Sequence, residues 1–276
     1  MNRLAEVLAG IDRLEPFPAN AVRVLELALS GAGVGELVEL IEQDPALAAK
    51  VLRLANSARY GGRAPIESIF DATHRLGPRV VSNLALTGGG ASVYMGYGSS
   101  TPRTNESLWM ESLYTACFSM RLAREAGSVD AELAYTIGLL QNLGHVLLDR
   151  FLDEAREQLI GLLDEGAGLL EAERAVLGID HAQAGARLLR RWGFPGRLVR
   201  GVRCHHSPTE AGEEGHLCAL TGLGEELALR LLRGEELRPG HLGGEAPGGF
   251  TLPGPDALSG LDDEVRRDVE DLGDAA

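Results

Sequence analysis

Apolar residues recur along the chain at intervals of three and four positions between Val22 and Leu232, and runs in which β-branched and polar residues alternate are absent. Spacing of three and four places apolar side chains on one face of an α-helix, whereas strict alternation would indicate a strand. The pattern therefore predicts an all-α fold.

In the N-terminal part, the segment QDPALAAKVLRLANSARYGG carries the clearest local signals. Asp44 is a predicted N-cap, Pro45 suits the first helical position, and Asn56 is expected to end the helix. Glycines 88–90 are interpreted as the end of a helix, and the later part of the segment GGGASVYMGYGSSTPRTNES, which begins at Gly88, as a loop. Further helices are predicted at about 21–29 and 34–43, and two more between 65 and 86, divided near Gly77 and Pro78.

In the C-terminal part, helices are predicted near 106–127, 129–148, 153–164, 168–177, 181–192, 195–206 and 215–232. Ser128 and Asp180 are predicted N-caps, and Pro195 is placed at a helix start. The predicted domains are an N-terminal helical bundle at 1–104, a second helical region at 105–232 packed on it, and an acidic, Gly/Pro-rich tail with one short helix at 233–276.

The segment GLLQNLGHVLL lies in the predicted helix at 129–148, which is apolar around most of its circumference and must be buried. Four exceptions share one stripe at helical spacing: Gly138, Gln141, Asn142 and His145. Polar groups that face an interior need hydrogen-bond partners or a water-filled cleft. The alternative is that the stripe simply reaches solvent.

Three histidines lie on other predicted apolar faces: His181, His205 and His206. A single histidine on such a face is typical of a core residue, but three beside an Asn/Gln stripe favour a common site. Carboxylates for a site that binds hard metal ions are scarce, because no aspartate occurs between Asp180 and Asp256.

The net charge of −14 opposes binding to nucleic acid and to anionic lipid. No apolar run reaches the length of a membrane span, and the N-terminus lacks a cleavable signal, so a cytoplasmic protein is expected. The three cysteines lack CxxC spacing and are predicted to be reduced core thiols. Lys50 is the only lysine and lies in a helix outside any glycine-rich loop, which argues against a P-loop or Schiff-base role.

One locally basic segment stands out in this acidic chain. Its six arginines favour solvated helix faces, with an anionic ligand or partner surface as the alternative. They are Arg187, Arg190, Arg191, Arg197, Arg200 and Arg203.

Several motifs in order resemble the HDOD domain, a relative of the HD and HD-GYP metal-dependent phosphohydrolases. They are QDPALAAKVLRLANSARYG, LWMESLYTA, GLLQNLGHVLL, HAQAGARLLRRWGFP and HHSP, and they cover about residues 12 to 210. The resemblance implies an all-α fold with an N-terminal bundle packed on an HD-like half. It also implies a bacterial signalling or regulatory role, since HDOD proteins are generally viewed as such modules.

The HD pattern would place histidine at Glu111 and a His-Asp pair at Gln141 and Asn142, so all three ligand positions differ here. His181, His205 and His206 match histidines of HD-GYP relatives. An amide supplies neither the basicity of imidazole nor the charge of a bridging carboxylate, so we expect no catalytic residues, no resident metal and no cofactor.

The resulting expectation is a non-catalytic regulatory protein that binds a signalling partner. Its degenerate cleft would comprise Glu111, Gln141, Asn142, His145, His181, His205 and His206. Two alternatives stay open. One is a divergent metal-dependent phosphohydrolase with a single-metal remnant at Glu111, His181, His205 and His206, and the other is a sensor of cyclic dinucleotides or other nucleotides.

Overall fold

The computed structural model describes residues 3–31, 33–96, 105–127, 129–152, 155–238 and 259–275. Every regular element in these ranges is helical, which confirms the all-α prediction. The α-helices are α1 (Arg3–Arg13), α2 (Ala19–Ser30), α3 (Val34–Glu42), α4 (Pro45–Ala55), α5 (Ile69–Leu76), α6 (Pro78–Gly96), α7 (Asn105–Ala126), α8 (Ala131–Leu140), α9 (Leu143–Asp149), α10 (Arg156–Asp164), α11 (Leu169–Leu177), α12 (His181–Arg191), α13 (Gly196–Cys204), α14 (Gly215–Leu232) and α15 (Leu261–Ala275). Two short 3₁₀ helices, Pro208–Glu210 and Gly212–Glu214, lie between α13 and α14.

Helix α4 begins and ends where its sequence predicts. The Asp44 carboxylate accepts the backbone N–H groups of Ala46 and Leu47, each at 3.1 Å, and so caps the helix. At the other end the Asn56 side chain donates to the carbonyl of Leu52 and exchanges two hydrogen bonds of 2.8 Å with the backbone of Ile66. Asn56 therefore ends the helix and fastens the loop that follows it.

Three features of the helices differ from expectation. Helix α1 was not predicted, although its apolar Val7 and Ile11 are fully buried. Helix α6 continues through glycines 88–90 to Gly96, so the predicted helix end there is wrong. The predicted helix at 129–148 is interrupted at residues 141–142, between α8 and α9. The predicted cap Ser128 and the loop at 97–104 lie outside the described residues, and Asp130 caps α8 by accepting the N–H of Leu133 at 3.2 Å.

The chain forms two compact units. The first contains Met1–Pro16 and Tyr94–Leu258, and the second contains Phe17–Val93 and Ser259–Ala276. Helix α15 thus belongs with the second unit, where it packs on α4 and where Arg59 pairs with the buried carboxylate of Asp268. The domain boundaries drawn from the sequence remain a prediction.

The first unit is built around close contacts among α7, α8 and α14. Glycines permit these contacts: a Cβ on Gly138 of α8 would lie 2.9 Å from the backbone of Ala116, and one on Gly224 of α14 would lie 3.0 Å from the backbone nitrogen of Ser119. Helix α12 packs against both α9 and α13. This packing brings the motifs on α7, α9, α12 and α13 into one unit.

The remaining composition-based expectations concern thiols and membranes. All three cysteines are buried and free of disulfides, as predicted. Within the described ranges, no helix combines the length and apolar character that crossing a bilayer requires.

Candidate functional site

Gln141 and Asn142 occupy the two-residue turn between α8 and α9. Both side chains are fully buried, and so is Gly138, so the alternative in which the polar stripe reaches solvent is wrong for these three residues. His145, on α9, is half-buried. The stripe predicted on one helix is therefore a buried polar turn.

Asn142 is tied to the carboxylate that the sequence singled out. Its side-chain N–H donates to Oε1 of Glu111 on α7 across 3.0 Å, and both residues are buried. The carbonyl oxygen of Asn142 and both amide atoms of Gln141 have no hydrogen-bond partner among the described residues. Buried polar atoms of this kind are uncommon and mark a polar pocket inside the unit.

Backbone packing sets the position of α9 against α12. A Cβ on Gly144 would lie 1.9 Å from the carbonyl oxygen of His181, and one on Gly185 would lie 3.3 Å from the backbone nitrogen of Gly144. Only glycine permits this approach at position 144. The contact places His145 beside the first residue of α12.

Glu173, on α11, organises two of the histidines. Its Oε2 accepts the backbone N–H of His181 at 2.9 Å and lies 2.8 Å from the Nδ1 atom of that ring. Its Oε1 lies 3.3 Å from Nδ1 of His145. The two imidazole rings stack with centroids 3.8 Å apart. One buried carboxylate thus fixes both rings.

His205 and His206 follow α13 and complete the cluster. Nδ1 of His205 lies 2.6 Å from the carbonyl oxygen of Val202, and its buried Nε2 has no hydrogen-bond partner within the described ranges. Nε2 of His206 lies 3.0 Å from Nε2 of His181. Ring nitrogens of His181, His205 and His206 all lie within 4.8 Å of one another, and the same holds for the ligand atoms of His145, Glu173 and His181.

The electrostatics of the cluster favour neutral imidazoles at His181, His205 and His206 and an ionised carboxylate at Glu173. Burial lowers the pKa of His181, and burial together with the neighbouring rings lowers the pKa of His205 well below its usual value and that of His206 to about 4. Burial raises the pKa of Glu173, but its interactions with His145 and His181 outweigh this and lower it overall. In this network Nδ1 of His181 carries the proton and donates a hydrogen bond to Glu173. Nε2 of His181 then carries a lone pair.

The donor set can be tested against the metals that the HD relatives imply. A pair of hard cations needs bridging carboxylates. The turn offers two amide side chains instead, and that of Asn142 donates a hydrogen bond to Glu111. These residues do not fit such a pair. A single transition-metal ion suits imidazole ligands, and three ring nitrogens converge with Glu173 hydrogen-bonded behind His181. Those residues fit one ion.

The carboxylate of Glu111 accepts a hydrogen bond from Asn142, and Glu111 is not among the residues whose ligand atoms converge in the two histidine clusters. On α14, Glu225 comes within 3.9 Å of Nδ1 of His206, and the hydroxyl of Thr221 donates to the carbonyl of Leu217 in its own helix. Sequence reasoning missed Glu173. The spacing along α11 could have revealed that Glu173 is buried, because it precedes the buried Val176 and Leu177 by three and four positions.

The basic segment is partly neutralised within the first unit. Arg197 forms a two-point hydrogen bond with the buried carboxylate of Glu214, at 2.9 and 3.1 Å, and Arg200 lies 3.8 Å from the same group. Arg191 donates to the carbonyl of Leu14 at 2.6 Å. These three guanidinium groups make contacts within the fold. Because they already have partners, they weaken the argument for a phosphate-binding surface.

Fold and site together define the class of protein. It is all-helical and carries a buried histidine cluster beside a turn. In this turn, two amides occupy positions that hold metal ligands in the HD pattern. The chain belongs to the HDOD family, whose domain model matches residues 14–208.

Comparisons with individual proteins agree with this assignment. The chain is 32% identical to an uncharacterised protein of Treponema pallidum (strain Nichols) over 81% of its own length, and it spans 44% of that relative. Its fold resembles the crystal structure of an HDOD domain protein with unknown function from Geobacter sulfurreducens, with a TM-score of 0.79, 22% identity and coverage of 99% and 97% of the two chains. It also resembles a Marinobacter aquaeolei VT8 structure whose name proposes a signal transduction protein, with a TM-score of 0.64, 25% identity, and coverage of 99% of this chain and 65% of that one.

Proposed function

We propose that this chain is a non-catalytic regulatory protein of bacterial signal transduction, acting in the cytoplasm by binding a partner protein. The observation that carries the proposal is the hydrogen bond from Asn142 to Glu111. An amide that donates to the nearby carboxylate cannot bridge two cations, so the turn lacks the chemistry of the hydrolytic relatives.

A surface on α10 and α11 supports the protein-binding part of the proposal. None of the side chains of α10 is buried, and Ile160, Leu163 and Leu169 are exposed by 48%, 37% and 37%. Neighbouring apolar side chains that remain in water are typical of protein interaction sites. We call these three residues the α10–α11 apolar surface.

The test compares partner capture by three versions of the tagged chain in extracts of the native cell. Ile160→Asp combined with Leu163→Asp should remove the captured partner, whereas Leu29→Asp, at an equally exposed apolar position in the other unit, should retain it. Equal capture by all three versions would argue against the α10–α11 apolar surface. Turnover of a phosphodiester substrate by purified, manganese-loaded protein would argue against a non-catalytic role.

A divergent metal-dependent phosphohydrolase is the second candidate, favoured by the convergence of His181, His205 and His206. A bound transition-metal ion would supply Lewis-acid chemistry, and these imidazoles would hold it while Glu173 orients His181. Elemental analysis after loading with manganese, iron or zinc, followed by a phosphodiesterase assay of the wild type and His206→Ala, distinguishes the two candidates. Stoichiometric metal with turnover that His206→Ala abolishes supports the hydrolase.

A further inference from the structure

The second compact unit contains a half-open cavity of about 170 Å³ between α2, α4 and α6, remote in sequence from the histidine cluster. The buried apolar part of its wall comes from Ala21 of α2, Leu47 of α4, and Leu84 and Ala85 of α6, and Asn20, Asp44 and Ser92 add polar groups. Lys50 also lines it, and we call the cavity the Lys50 pocket.

The ammonium group of Lys50 has no hydrogen bond and no ion pair with any other residue in the described part of the chain. The acid near it, Asp44, uses its carboxylate to cap α4. Burial lowers the pKa of Lys50, and the nearby negative charge of Asp44 offsets this only in part. An anion that entered the pocket would compensate this charge.

Gly88 shapes the space around the ammonium group. A Cβ at this position would lie 2.9 Å from Nζ of Lys50, so the absence of a side chain on α6 leaves the room that Nζ occupies. Gly88 therefore belongs to α6 and also leaves space for the ammonium group in the Lys50 pocket.

The lining determines which anion fits. Lys50 is the only cationic side chain among the lining residues, and Asp44 would repel a second negative charge. A phosphate group is matched by several cationic donors or by arginine forks, whereas this lining offers one ammonium group, the exposed amide of Asn20 and a Ser92 hydroxyl that already donates to Gly88. A singly charged carboxylate is matched by one ammonium group, and the apolar wall suits a short hydrocarbon stem.

We propose that the Lys50 pocket binds a monocarboxylate with a short apolar stem, its carboxylate paired with the Lys50 ammonium group and its stem against Leu47 and Leu84. Water fills about 30 Å³ per molecule, so the cavity has room for a chain of about five heavy atoms before the stem reaches the opening. The carboxylate can belong to a free short-chain acid or to the C-terminus of a peptide.

The test uses the single lysine of the chain. Protein labelled with ¹⁵N at the lysine side chain gives one side-chain signal, from Lys50. Titration with hexanoate should shift this signal saturably, whereas methyl hexanoate, which lacks the charge, should not. A shift that grows linearly without saturation, or an equal response to the ester, would overturn the proposal.

Variants tested by calorimetry provide the second measurement. Lys50→Met should abolish hexanoate binding, whereas Gly88→Ala should weaken it only about twofold, because Nζ at the end of a flexible side chain can shift away from the new Cβ. Gly35→Ala on α3, where an added Cβ meets nothing within 4 Å, is the matched control and should bind as the wild type does. Undiminished binding by folded Lys50→Met would overturn the proposal, and titration of the labelled wild type tests it even where a variant does not fold.

The source of the carboxylate is resolved by a peptide comparison. N-acetyl-Ala-Leu with a free C-terminus and the same peptide as its amide are titrated beside hexanoate. Tenfold tighter binding of the peptide acid assigns the pocket to a chain terminus, and the reverse assigns it to a free acid. No binding by either acid overturns the proposal.

Discussion

The side chain of Asn142 donates a hydrogen bond of 3.0 Å to the carboxylate of Glu111, and both groups are buried in the first compact unit. In an HD-type enzyme these positions would supply metal ligands. In this chain they supply a neutral donor and its acceptor, so the interaction stabilises the fold without a cation.

Asn142→Asp should therefore be destabilising at neutral pH. The substitution sets a second carboxylate against Glu111, and an unpaired buried charge lowers the free energy of unfolding by about 3 kcal/mol. Urea denaturation at pH 7.5 and pH 5 measures the effect, which should shrink at pH 5 as the pair takes up a proton. Gln43→Glu, an exposed amide-to-acid change, is the control. An equal loss at both pH values would contradict this reasoning.

Gly144→Ala should disrupt the contact between α9 and α12. The new Cβ would lie 1.9 Å from the backbone carbonyl of His181, which cannot rotate away as a side chain would. We expect a loss of at least about 3 kcal/mol in the free energy of unfolding. Gly161→Ala on α10, with open space around it, should instead stabilise the helix by about 0.5–1 kcal/mol. The prediction fails if both variants unfold at the same urea concentration as the wild type.

Glu173→Gln should loosen the histidine cluster. The amide keeps an acceptor for His181 but loses the charge, and a hydrogen bond to a charged group contributes about 1.5–3 kcal/mol. Thermal unfolding measures the loss, and ¹⁵N shifts of the imidazole nitrogens report whether the His181 proton still resides on Nδ1. The exposed neighbour Glu171 supplies the control, Glu171→Gln, which should behave as the wild type. Unchanged shifts in Glu173→Gln would show that the carboxylate does not set the tautomer.

Stability should fall as the pH falls below about 6.5 in chelator-treated protein. The pKa of His205 is well below its usual value in the folded chain and ordinary in the unfolded chain, so between these values the unfolded state binds one more proton. Each such histidine lowers the free energy of unfolding by about 1.4 kcal/mol per pH unit across that window. His205→Gln should reduce the slope by one proton, and the exposed Gln43→Ala, which removes no titrating group, should leave it unchanged. A slope that does not differ between the two variants would contradict the burial of a neutral His205.

The sequence predicts best those features, such as helix ends, that depend on residues close together in the chain. Asp44 and Asn56 bound α4 as expected, and Asp180 caps α12 by accepting the N–H of Gln183 at 2.7 Å. Caps of this kind depend on the chain a few residues away, so one sequence reveals them.

The interruption at Gln141 could not be predicted in the same way, because apolar residues at helical spacing continue on both sides of it. The burial of Glu173 depends on α11 meeting the start of α12, a contact between separate elements. Glycines 88–90 favour a helix end locally, but Gly88 and Gly89 admit Lys50 and the Phe17 ring, so tertiary packing prevails over helix propensity. The histidines were singled out from sequence, whereas the carboxylate that joins them was not.

The two-residue turn between α8 and α9 also has a consequence for protein engineering. Glycine contacts at positions 138 and 144 fix the backbone on either side of it, so substitutions at 141 and 142 act on the buried polar contacts of the turn, with a cost in stability, rather than on these backbone contacts. A library randomised at 111, 141 and 142 would therefore test which side chains at the turn bind a metal ion, in a fold that already brings three imidazoles together.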